Sequence, residues 1–157
     1  MDSKYKIYIQ RAKNELNLSS IILKISNDKN IQKDIFELPE DTYFSAVISH
    51  AYYSIFYMTK AYLIKKEIEI KAPHEHKKAF EEFKQFVEKG IIDVELLTIY
   101  QELIMKADVL LDILQREKGK RGKFTYRTLP QANRDPAEES LKNSKLFFKH
   151  LNNLCEQ

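Results

Sequence analysis

The stretch Asp41–Lys66, DTYFSAVISHAYYSIFYMTKAYLIKK, decides the fold. From Tyr43 to Ile64 apolar residues fall on every side of a helical wheel: Phe44, Val47, Ile48, Ala51, Tyr52, Ile55, Phe56, Met58, Ala61 and Leu63. A helix apolar all round is surrounded by others, so this one is predicted to be the centre of a helical bundle. Few of its residues are β-branched, which makes a buried strand the weaker reading. Asp41 stands where it can cap the helix by accepting a hydrogen bond from a free N–H of the first turn.

Upstream, a helix is predicted from Lys4 to about Ile25, with an imperfect apolar face of Ile7, Ala12, Leu16, Leu18, Ile22, Leu23 and Ile25. The polar run 26–30 ends it, and residues 31–39 suit a short helical turn closed by Pro39. Downstream, residues 68–78 form a break with Pro73 near the start of a third helix. That helix carries Phe80, Phe83, Phe86 and Val87 at helical spacing and is closed by Gly90. A fourth helix from about Asp93 buries Leu96, Leu97, Tyr100, Leu103, Ile104, Ala107, Leu110, Leu111 and Leu114. The last begins at Asp135-Pro136-Ala137-Glu138, a cap followed by proline at the first helical position, and packs through Leu141, Ser144, Phe147, Phe148 and Leu151. With only three glycines and four prolines among 157 residues, turns are too few for an all-β chain. The expected fold is all-α: one domain over residues 1–157, an up-and-down bundle of four to five helices with a basic loop or arm inserted between the last two.

Composition excludes several functions. Glycine occurs only at 90, 119 and 122, so neither a P-loop nor a Rossmann fingerprint exists. Cys155 is the single cysteine and cannot form an internal disulfide, which fits a cytoplasmic protein. The first ten residues lack the apolar core of a signal peptide, and no uncharged apolar run reaches about 18 residues, so no membrane association is expected. No cofactor is implied. His74 and His76, two apart on a helix start, point in different directions and have no third ligand nearby in sequence, so no metal site is expected.

Two constellations remain. On the central helix His50, Tyr53, Tyr57 and Lys60 form a polar-tipped stripe along one face. It either lines a cleft for a nucleotide or phosphate, or hydrogen-bonds neighbouring helices or a second subunit; the need of buried polar tips for partners favours the second. Residues 116–134 hold seven basic side chains against Glu117, a net +6, while the whole chain carries +3. Within that segment Lys120, Arg121, Lys123, Arg127 and Arg134 can pair with phosphates, and Phe124 or Tyr126 can stack on a splayed base. The aromatics can equally pin the segment to the core.

HAYYSIFYMTKAYL, His50–Leu63, resembles the Ala-Tyr-Tyr-x-x-Phe helix of HEPN-domain proteins. HKKAFEEF from His76, followed by Phe86-Val87, is similar to their loop histidine and next helix. Lys106-Ala107-Asp108 resembles part of their fourth helix, and Ala137–Leu151 their last, so the resemblance spans about residues 41–154. It implies a dimerising helical bundle in a family that includes RNA-cleaving toxins, partners of minimal nucleotidyltransferases, and RNA-processing or defence proteins. Its ribonucleases use an Arg-x4-6-His motif without metal. Here none of the four histidines, at 50, 74, 76 and 150, follows an arginine at that spacing, and Tyr57 stands where many relatives have histidine. The Arg-x4-x-His-x-Tyr target of adenylylating partners is also missing. The resemblance therefore implies an RNA- or nucleotide-binding homodimer of a toxin–antitoxin or defence-type system without the standard ribonuclease motif. The alternatives are a scaffold for a nucleotidyltransferase-type partner, or a non-standard metal-independent ribonuclease.

Overall fold

A computed structural model of the chain describes residues 2–118 and 133–157, with side chains described over 3–107 and 133–157. The described residues form five α-helices and one π-helical turn: α1 (Asp2–Asn27), the turn (Ile31–Ile35), α2 (Phe44–Lys65), α3 (Glu75–Glu88), α4 (Val94–Lys118) and α5 (Arg134–Glu156). No strand occurs among them, and no described helix is long and apolar enough to cross a membrane. The all-α bundle expected from the sequence is the fold observed.

α2 is its axis. Val47, Ala51, Ile55, Met58, Ala61 and Leu63 are fully buried, and all four other helices pack on α2. Small residues set how closely α1 and α5 approach. Ser54 Oγ donates to the Ala12 carbonyl (2.8 Å), Ser19 Oγ to that of Val47 (2.7 Å), and Ser144 Oγ to that of Ala51 (2.9 Å). A hydroxyl that reaches a main-chain oxygen on the next helix is satisfied without water and needs the two backbones close.

This packing narrows the expected face of α1: Ala12 is buried and Leu16, Ile22 and Leu23 pack on the core as expected. Ile7 and Leu18 stay exposed, whereas Ala12, Ser19 and Ser26 are buried against α2. Tyr5, Ile9, Leu16 and Leu23 flank them on the same face, giving a three-four spacing centred on small residues. Hydrophobicity alone adds Ile7 and Leu18 and omits Ser19 and Ser26, because close approach selects small side chains.

The connector between α1 and α2 is organised by Gln32, which is fully buried. Its amide nitrogen donates to the carbonyls of Ile25 (2.7 Å) and Asp41 (2.9 Å), and its oxygen accepts the Asp41 N–H (2.8 Å). Ser26 Oγ accepts the Tyr43 N–H (2.9 Å). Tertiary partners thus hold the backbone before α2, and Asp41 does not cap it. The helix starts at Phe44, while the Asp41 carboxylate accepts from Thr42 N (2.7 Å). Asp135 likewise does not cap α5, which begins one residue earlier with Asn133 at the capping position. Pro136 is tolerated there because first-turn N–H groups lack intrahelical partners.

Gly90 closes α3 with φ +76°, in the left-handed region that glycine reaches without penalty. Asp93 accepts the Glu95 N–H (3.0 Å) and so begins α4. Below these helices Phe83, Tyr100 and Phe147 form a fully buried ring cluster, with centroids 5.4–5.8 Å apart. On α4, Leu96, Leu97, Tyr100, Leu103 and Ala107 are buried as expected; the side chains of Leu110, Leu111 and Leu114 lie outside the described ones. The start of the basic segment is not a loop, since α4 continues through Lys118.

Candidate functional site

The face of α2 turned toward α3 is built differently. Tyr52, Tyr53, Phe56, Tyr57 and Lys60 recur at helical spacing along it, and the first turn of α3 lies over them. The His76 ring stacks on Phe56 (3.9 Å between centroids, 15° between planes), and Tyr52 Oη bonds His76 Nδ1 at 2.7 Å. Lys60 Nζ donates to Glu75 Oε2 at 2.6 Å. His74 precedes this turn with φ +62°, a left-handed conformation uncommon outside glycine.

From the other side α1 contributes Tyr8 and Arg11. The Tyr8 and Tyr57 rings stack at 6.2 Å, and Tyr57 continues to Tyr53 at 6.4 Å. The Arg11 guanidinium lies 5.4 Å from the Tyr8 centroid and 5.9 Å from that of Tyr57, within cation–π range. Lys60 Nζ is 4.8 Å from the Tyr8 centroid. These side chains line a groove of about 690 Å³ bounded by Tyr8, Arg11, Phe56, Tyr57, Lys60 and the Ala72–Lys77 region. Its charged members are Arg11, Lys60 and Lys77 against Glu75.

The cations differ in how committed they are. Lys60 is only 8% exposed. Burial pulls its ammonium down, but the Glu75 carboxylate and the Tyr8 phenol outweigh that and hold its pKa above the ordinary lysine value. The hydrogen bond from Lys60 in turn lowers the Glu75 pKa. Arg11 is exposed and has no carboxylate partner among the described residues. Burial against Phe56 lowers the His76 pKa below that of free histidine; Glu75 opposes the shift and Lys60 adds to it. The ring is therefore neutral at pH 7, and with Nδ1 engaged by Tyr52, proton exchange with a ligand would pass through Nε2.

Of the stripe read from the sequence, Tyr57 and Lys60 line this groove. Tyr53 extends its aromatic ledge and meets His76 edge-on at 6.0 Å. His50 lies apart, with Nδ1 2.5 Å from Glu15 Oε2 on α1. Arg134 is exposed at the start of α5 and pairs with Glu138 at 2.8 Å. Lys120, Arg121, Lys123, Phe124, Tyr126 and Arg127 lie outside the described residues. Sequence reasoning missed Tyr8, Arg11, Tyr52 and the engagement of His76. A usable signal did exist for Arg11, the only arginine before residue 116. Among the described residues no three His, Cys, Asp or Glu side chains converge as for a metal ion.

Comparison with curated proteins finds no match to the chain. The HEPN domain, by contrast, matches residues 31–154, from the π-helical turn into the last turn of α5, and the chain belongs to this family of nucleotide- and RNA-related helical proteins.

Proposed function

We propose that this HEPN protein binds RNA or a nucleotide by holding a phosphate in the groove between α1, α2 and the start of α3. The observation that carries the reading is Arg11, a guanidinium with no carboxylate partner among the described residues, lying over two tyrosine rings beside Lys60 and His76. An arginine that lies against rings keeps its donor fork available and loses less freedom on meeting a phosphate. The tyrosine ledge offers stacking surface for a neighbouring base. The basic residues Lys120, Arg121, Lys123, Arg127 and Arg134, with Tyr126, supply further phosphate and base contacts and extend the footprint. Tyr8 and Arg11 precede the residues matched to the family, so this part of the groove belongs to the chain's own N-terminal helix.

The test is fluorescence anisotropy with a single-stranded RNA across a salt series. Arg11→Ala should weaken binding about tenfold and reduce the salt slope by about one, as should Arg121→Ala with Arg127→Ala. Unchanged affinity and slope in Arg11→Ala would remove the groove from the account.

A second reading is favoured by the meeting of Arg11 and His76, residues far apart in the chain, in one groove. Such a pair can support metal-independent cleavage, the imidazole exchanging a proton with the 2′-hydroxyl and the guanidinium stabilising phosphate charge. Incubating structured RNA in EDTA tests it: cleavage must exceed a buffer control and vanish in His76→Gln. A homodimer, a role in a toxin–antitoxin or defence-type system, and a nucleotidyltransferase-type partner belong to the same proposal and are supported by family membership. Light scattering at micromolar concentration tests the dimer, and the neighbouring gene tests the partner.

A further inference from the structure

A second cavity of about 570 Å³ lies on the far side of His76, between α2, α3 and α4. Its walls are Tyr52, Phe80, Ile104 and Met105, with Gln101, His76 and Lys77 at its edges. The chemistry differs from that of the first groove: aliphatic chains join the rings, and Lys77 is its one cationic lining residue. Phe80 is fixed from below by the buried Tyr100 (5.2 Å, edge to face). Gln101, Ile104 and Met105 share one face of α4. Met105 is 67% exposed at the mouth, a polarisable thioether suited to lie against an aromatic ring. His76 and Lys77 line both cavities, so the two are neighbours across one histidine ring.

We infer that the two cavities form one divided site for a purine nucleotide unit, with the phosphate at Arg11 and Lys60 and the base between Phe80, Tyr52 and Met105. The inference rests on the phosphate reading of the first groove and adds the base. A nucleotide has this division, a flat and largely apolar ring joined through a ribose to a charged phosphate. The apolar half thus continues directly from a cationic half that selects the charged end. Gln101 carries a donor and an acceptor side by side, the pattern that pairs with N6 and N7 of adenine. The unit can come from a free nucleotide or from the end of an RNA chain.

Isothermal titration of the full chain with AMP, UMP and ribose 5-phosphate tests this. AMP should bind at least about tenfold more tightly than ribose 5-phosphate, which lacks the base, and more tightly than UMP. Met105→Ser and Gln101→Ala, both at exposed positions, should bring AMP toward ribose 5-phosphate while leaving the latter unchanged. Arg11→Ala should weaken all three. Equal binding of AMP and ribose 5-phosphate, insensitive to Met105→Ser, overturns the base compartment and leaves the phosphate reading standing. AMP binding that Arg11→Ala does not weaken, or no binding by any of the three, overturns the phosphate reading and the divided site with it. If these tests are met, a 5′-phosphorylated oligoadenylate separates the sources. Binding tighter than AMP assigns the site to an RNA end, and weaker binding assigns it to the free nucleotide.

Discussion

The two faces of α2 solve opposite problems. Toward α1 and α5 the helix presents Ala51 and Ser54 and receives Ser19 and Ser144, all fully buried, with each hydroxyl bonded to a main-chain oxygen across the interface. Toward α3 it presents the Tyr53 and Tyr57 rings, which stay at least partly open to solvent, and the buried Lys60 ammonium held by Glu75, and it shares a groove with an arginine that has no carboxylate partner among the described residues. On the first face these three hydroxyls are consumed by packing. On the second, donors and ring surface are left over, and leftover donors at a fixed position are what a ligand needs.

Substitutions can break this contrast. The largest effect is expected at Ser54→Leu, which puts a bulky chain where the hydroxyl lies 2.8 Å from the Ala12 carbonyl. Overpacking together with the lost hydrogen bond should cost about 3 kcal/mol in urea denaturation. Gln32→Leu comes next. It strips three hydrogen bonds from the connector and leaves backbone groups of Ile25 and Asp41 without their partner, for a loss of about 2 kcal/mol. By contrast, Arg11→Ala should change stability by less than about 0.5 kcal/mol while weakening phosphate binding, because the side chain is exposed and packs on ring surface alone.

The smallest effect sharpens the contrast by pH. His76 is neutral at pH 7 because its pKa lies below the ordinary 6.5. Protonation adds a positive charge to the groove, so phosphate affinity should rise as pH falls below the ordinary histidine range. His76→Gln should remove that rise. The stability sign is the opposite: a depressed histidine pKa favours the fold above the unfolded value and is lost as pH falls through the folded one. Acid should therefore strengthen ligand binding while slightly weakening the fold.

The fold was legible because its strongest signals act locally. The apolar α2, the polar breaks and Gly90 each mark an element without reference to distant residues. Helix starts were less so: Asp41 and Asp135 have the chemistry of caps, yet Gln32 and Ser26 hold the chain before α2, and α5 starts ahead of Asp135. The face of α1 was legible at Ala12, Leu16, Ile22 and Leu23, but Ile7 and Leu18 drew it too wide and Ser19 and Ser26 were missed, because backbone proximity selects small side chains that hydrophobicity does not mark. Of the groove, Tyr57 and Lys60 could be read from α2 alone. Tyr8, Arg11 and His76 could not, since three different helices bring them together. The base compartment is harder still, because Phe80, Ile104 and Met105 look in sequence like ordinary packing residues.

The most direct test of the central claim is an NMR titration of the full chain with single-stranded RNA, following the His76 imidazole and the Arg11 guanidinium resonances. These should shift together, with Tyr8 and Tyr57, while signals of Ser19, Ser54 and Ser144 stay in place. Shifts that leave Arg11 and His76 unmoved as RNA saturates would contradict it.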